Sequence, residues 1–198
     1  MKWATLMFYE KNELHKFNFK KLGNNVLISK YATLYGTEQM SFSKNSRIDD
    51  FCALSGEITI GKNVHITVHC SITASLSPIV IEDFVGIAAN CHIFSSMDDY
   101  LGFGLNNPTI PIEFRNVSHG PVKISKHSII GVGSVIFPNV VVGEGCAIGA
   151  MSLVNKSIAP WGVYVGVPVK RIKDRSKNLL EKEKQFIEMQ KRIRDNAG

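Results

Sequence analysis

The sequence predicts an all-β solenoid: a coil of hexapeptide repeats with triangular turns, preceded by a short cap, interrupted by one long loop and followed by an α-helix. Two observations carry this. From Ile124, a branched aliphatic recurs every six residues at Ile130, Ile136, Val142, Ile148 and Val154. Four residues after each aliphatic comes a smaller group, Ser128, Ser134, Val140, Cys146 and Ser152, with Ile158 the bulky exception. A period of six fits neither the 3.6 of a helix nor the alternation of a half-buried strand. It fits a solenoid with one short strand and one turn per repeat.

The register extends upstream through Leu22, Ile28 and Leu34, then Phe42, Ile48, Leu54, Ile60, Ile66 and Ile72, then Ile81, Ile87 and Ile93. Slips near Met40 and Pro78 interrupt it. The aliphatic should fill each face, the small residue should pack beside the corner, and the frequent following glycine (Gly131, Gly143, Gly149) should permit backbone conformations closed to other residues. Cys52, Cys70, Cys91 and Cys146 all occupy the small position, and no CxxC pair occurs. They read as buried packing thiols rather than zinc ligands or disulfide partners.

Three segments lie outside the repeat. Residues 1–21 mix Trp3, Phe8, Tyr9, Phe17 and Phe19 with charge, and "EKNELHKF" reads as a short helix capping the first coil, with a part in substrate binding as the alternative. Residues 174–198 read as an amphipathic helix with Leu179, Phe186 and Ile193 seven apart, Leu180 and Ile187 beside them, and Ser176 as N-cap. Residues 95–121 form a long loop holding Asp98, Asp99, Tyr100, Asn106, Asn107, Glu113, Arg115, Asn116 and His119. A polar loop of this length inside a compact repeat points to function.

Composition bounds the classes. Hydrophobic residues make up 44% and charged residues 20% of the 198, as in an ordinary soluble domain. No apolar run approaches a membrane span, and the N-terminus lacks a signal-like core, so a cytoplasmic protein is expected. The net charge is +6. Most of that excess lies between Lys170 and Asp195, where ten Lys/Arg interleave with five Asp/Glu. This reads as a solvated helix or a small anion-binding patch rather than a nucleic-acid surface.

With the repeat in place, the chain resembles the hexapeptide-repeat acyltransferases over roughly residues 22–173. Their signature is an aliphatic, a Gly-like residue, two free positions, a small residue and one more. The resemblance implies a left-handed parallel β-helix, a homotrimer with active sites between neighbouring subunits, and acetyl-CoA as co-substrate without a metal. It places the pantetheine arm against Gly131, Val132, Gly149, Ala150, Asn155 and Lys156. "YVGVPVKRIK" is similar to the family's GxPAK ending, with Val169 in place of Ala, and would set Lys170, Arg171 and Lys173 at the CoA phosphates. Trp161 would either stack on adenine or form a corner.

Where hexapeptide O-acetyltransferases commonly carry a histidine base, the repeat alignment puts Asp98, while His92 falls too early in register. A hydroxyl acceptor benefits from an imidazole base. A sugar amine arrives largely as an ammonium, which a carboxylate can attract, orient and help deprotonate. The "S-x-DDY" entry at Ser96–Tyr100 and the "HGPV" exit at His119–Val122 resemble N-acetyltransferases of nucleotide-linked amino sugars, the dTDP-4-amino-4,6-dideoxyglucose type, which serve surface-polysaccharide synthesis. On that resemblance Asp98 is the first candidate to contact the amine, Asp99 the next and His119 the rival base. Tyr100, Arg115, Asn116 and His69 are the expected substrate contacts. The alternatives are a sugar O-acetyltransferase using His119, and a scaffold or metal-dependent hydratase drawing on His65, His69, His92, His119 and His127.

Overall fold

The computed structural model describes residues 7–195 and is a left-handed parallel β-helix of about seven coils. Its strands are mostly two or three residues long, and those of the coils down to Leu153–Val154 each contain a predicted aliphatic. Three parallel ladders make the three faces. Leu22, Phe42, Ile60, Ile81, Ile124, Val142 and Ile158 pair in succession down the first. Ile28, Ile48, Ile66, Ile87, Ile130, Ile148 and Tyr164 form the second. Leu34, Leu54, Ile72, Ile93, Ile136 and Val154 form the third. Nearly all are fully buried, so the core is a column of stacked aliphatics.

The glycines and small residues act differently from the simplest reading of the repeat. Gly131, Gly143 and Gly149 do not take left-handed backbone. A Cβ on Gly131 would lie 2.6 Å from the Ala150 nitrogen, so the neighbouring coil demands its absence. Left-handed backbone falls instead at corners that carry Asn25, Asn45, Asn63, Asn90 and Asn139, residues such as His69, His127 and Trp161, and the glycines Gly133 and Gly145 among others; asparagine tolerates this region better than most residues. Asn25 donates to Asn45 (2.9 Å) and Asn45 to Asn63 (3.1 Å), a ladder along the corner between the first and second faces.

The small position is also a donor position. Ser128 and Ser134 hydroxyls donate to the Gly143 and Gly149 carbonyls on the next coil, at 3.0 and 3.1 Å. The thiols of Cys70, Cys91 and Cys146 do the same to Ala88, Gly131 and Ala159, at 3.1–3.2 Å. Serine and cysteine thus add a side-chain donor to carbonyls at the tight corner, some of which also accept a backbone N–H, as Gly131 does from Ser134 and Gly143 from Cys146. All four cysteines are free and buried.

The cap is a single turn, α1 (Lys11–Leu14), which buries Leu14. Phe17 stacks on Phe19 at 5.5 Å, and Phe19 meets Phe42 edge-on at 5.1 Å, closing the top of the core. Trp3 lies outside the described residues. The C-terminal helix α2 (Leu179–Asp195) runs along the asparagine corner. Glu183 bridges Lys126 (2.7 Å) and His127 (3.0 Å), and Phe186 packs edge-on against Phe84 at 6.2 Å. Arg175 leads into the helix by donating to the carbonyls of His127, Gly145 and Cys146. Ser176 is not the N-cap: its hydroxyl accepts the Asn178 N–H in a turn just before the helix begins. Trp161 is a left-handed corner, with Lys177 5.4 Å above its ring and His127 beside it.

Candidate active site

Residues 95–121 leave the solenoid after the third-face strand His92–Phe94 and rejoin it at the first-face strand Val122–Ile124. They project as an arm whose neck is the antiparallel pair Ser96–Met97 and Ser118–His119, with Ser96 opposite His119. The neck bonds back to the coil, since Gly120 N–H donates to the Ser95 carbonyl at 2.9 Å. Beyond the neck, Tyr100, Leu101 and Phe103 are 84%, 81% and 79% exposed.

The two aspartates divide the work. Asp99, 9% exposed, accepts backbone N–H groups from Leu101 (2.8 Å), Phe103 and Gly104 (3.0 Å). These bonds, led by Leu101 and joined by the Asn116 side chain, hold its carboxyl below the ordinary range. Asp99 therefore builds the turn of the arm, with the exposed Asn116 side chain bonded to it. Asp98 is different. Its Oδ1 accepts from Arg115 Nη2 at 2.8 Å and its Oδ2 from the Asn107 N–H at 3.1 Å. Arg115, then Asn107, hold its carboxyl low as well. Its side chain stays 32% exposed and reachable from outside.

His119 stands at the neck with Nδ1 3.0 Å from Ser77 Oγ, a bond that ties the arm to the coil. Ser77 belongs to the slip at Pro78. That irregularity, with the hydroxyls of Ser75 and Ser96 in contact beside it, was the sequence signal for an arm support that motif reasoning passed over. His69 lies elsewhere: it forms the corner between the second and third faces, stacked on Phe51 at 5.0 Å, with Tyr31 continuing the stack. One chain thus brings Asp98 and Arg115 together, holds His119 against Ser77 at the neck, and leaves His69 in the Phe51 stack. His92 points outward from its strand, as its register required.

The donor-side residues fall into three places. Gly131, Val132, Gly149 and Ala150 follow second-face strands on successive coils, and Val132 is 43% exposed. Asn155 and Lys156 follow the third-face strand Leu153–Val154 and stand at a different corner. Lys170, Arg171 and Lys173 lie on the strand Lys170–Asp174, which folds back antiparallel on Gly162–Val165. Lys170 and Lys173 are exposed there. Arg171 is committed: it donates to Asp174 (2.7 Å), the Trp161 carbonyl (3.3 Å) and the Tyr164 hydroxyl (3.4 Å), anchoring the hairpin. Among the described residues, no group of three or more His, Cys, Asp or Glu is placed to hold a metal.

No family model matches the chain. A dTDP-4-amino-4,6-dideoxy-D-glucose acyltransferase of Escherichia coli is 41% identical over 184 residues, covering 91% of this chain and 95% of that protein. The chain belongs to this acyltransferase family. The fold agrees: an aspartate-to-alanine variant of AntD, an N-acyltransferase from Bacillus cereus solved with dTDP and coenzyme A, is 44% identical with a TM-score of 0.91. That match spans 92% of this chain and 98% of AntD. A serine-to-alanine variant of AntD, 45% identical with a TM-score of 0.90, was solved with dTDP-4-amino-4,6-dideoxyglucose and coenzyme A, and covers the same shares. AntD has also been solved with dTDP and 3-hydroxybutyryl-CoA. The acyltransferase is thus matched over more than nine-tenths of its length.

Proposed function

We propose that the protein transfers an acyl group, acetyl first, from coenzyme A to the 4-amino group of dTDP-4-amino-4,6-dideoxyglucose. The observation that carries this is a relative named for that activity and matched over nearly its whole length. The AntD complex with the amino sugar and coenzyme A supports it.

In this reading Asp98 binds the incoming ammonium. Arg115 and Asn107 keep it ionised, and a carboxylate so stabilised is a weak base. Its part is to attract and orient the nitrogen rather than to keep its proton. Once the ammonium has released one proton to solvent, the lone pair of the neutral amine attacks the thioester carbonyl. The tetrahedral intermediate then collapses, breaking the C–S bond, and the remaining ammonium proton ends on the departing thiolate to give the free thiol. Positioning of this kind supplies much of the acceleration in a bimolecular transfer. The exposed backbone around Val132 and Ala150, with Asn155 and Lys156 from a neighbouring copy, would hold pantetheine, and Lys170 and Lys173 the phosphates.

The exposed apolar tip of the arm supports a homotrimer in which each arm covers a neighbour, with Tyr100 and the partner's counterpart of the His69 corner facing one cleft. Buried free thiols, and no described helix long and apolar enough to cross a membrane, fit work in the cytoplasm. An N-acylated nucleotide sugar is an activated glycosyl donor, suited to surface-polysaccharide assembly.

The test is product identity. After incubation with acetyl-CoA and the amino sugar, NMR should show an amide at C4. An unmodified amine, or an ester on a ring hydroxyl, would reject the assignment.

A further inference from the structure

We infer that Arg115 is a positioning residue for acyl transfer: it acts through Asp98, fixing that carboxylate at the neck of the arm so that its free lone pairs face the substrate ammonium. The inference rests on the reading of Asp98 as the amine contact. It changes the place of Arg115 from a substrate ligand to a support.

The geometry is specific. Arg115 is largely buried, with 15% of its side chain exposed against 32% for Asp98. Its Nη2 reaches Oδ1, while the backbone of Asn107, from the opposite part of the arm, holds Oδ2. A carboxylate has about four lone-pair sites, so two remain for an incoming N–H donor. The other charged group at hand, Asp99, is turned into its own loop by three backbone donors and does not compete. Arg115 Nε is buried without a partner among the described residues, so this guanidinium is not splayed toward solvent to await a phosphate. A rigid planar cation on one side, a backbone amide on the other and an open third side make an oriented anion.

Asp98→Asn, Arg115→Ala and Arg115→Lys test this by steady-state acyl transfer to the amino sugar across pH, with melting temperature and oligomeric mass as controls. Asp98→Asn should lose the most. Arg115→Ala, which keeps the carboxylate, should lose roughly tenfold in kcat, a positioning-sized effect, with KM for acetyl-CoA unchanged. Arg115→Lys should recover part of that loss. Both the Arg115→Ala and Asp98→Asn deficits should shrink as pH rises from about 7 to 9, where an amine as weakly basic as an α-amino group, with a pKa of about 8, loses its charge. A deficit in Arg115→Ala that is constant with pH, or equal to that of Asp98→Asn, would mean a mere staple of the arm and overturn the inference. So would wild-type kcat in Arg115→Ala alongside a crippled Asp98→Asn. Full activity in Asp98→Asn would remove the reading on which the inference stands. If Arg115→Ala fails to fold, Arg115→Gln replaces it with the same criteria.

Discussion

At the scale of single residues, two glycines on one face separate packing from function. Gly131 is pinned by the next coil, whereas a Cβ on Gly86 would meet nothing closer than Ile129, at 4.0 Å. Gly131→Ala should lower the melting temperature clearly and Gly86→Ala should leave it unchanged, as thermal denaturation of the two variants will show. The small position offers a second contrast. Cys146→Ser keeps a donor to the Ala159 carbonyl, as Ser128 and Ser134 do for theirs, and should be near neutral. Cys146→Ala removes one of the two donors to that carbonyl, leaving the Tyr164 hydroxyl at 2.8 Å, and should cost no more than about 0.5–1.5 kcal/mol in chemical denaturation. In the column itself, Ile66→Ala opens a cavity among fully buried neighbours and should cost about 2–5 kcal/mol.

At the scale of elements, α2 is held by one carboxylate. Burial alone would raise the Glu183 pKa, but Lys126 and His127 outweigh it and leave it lowered. A carboxyl whose folded pKa is depressed adds stability above its unfolded value, and that stability is lost as pH falls through the folded value. Hydrogen exchange in Leu179–Asp195 should therefore quicken below about pH 4, and Glu183→Gln should exchange fast at neutral pH without that acid step. The elements also show what the sequence could and could not say. The solenoid was legible because one residue type recurs at one spacing, and the register named an aliphatic in every coil strand from Leu22 to Val154, though not the arm's two-stranded neck. The arm was legible as an interruption, but not its inner design. Asp98 and Asp99 are neighbours with identical chemistry, and only the positions of Arg115, Asn107, Leu101 and Gly104 in space separate the proposed amine contact from the turn builder. Arg171 escaped for the same reason, since its three acceptors include the distant Trp161 and Tyr164.

At the scale of the whole molecule, the solenoid is a ruler on which the proposed acceptor arm and donor wall are set at fixed heights. The arm joins coils at Phe94 and Val122, and the proposed wall begins one strand later at Gly131. A stiff stacked core keeps that spacing, while the apolar arm tip waits for a neighbour. Light scattering should give the mass of a trimer, and replacing Leu101 and Phe103 by serine should reduce it. The central claim is that an amine accepts the acyl group. Thiol release from acetyl-CoA, measured side by side with dTDP-4-amino-4,6-dideoxyglucose and its 4-hydroxy counterpart, tests it most directly. The account predicts turnover with the amine and none above background with the hydroxyl; turnover confined to the hydroxyl would contradict it.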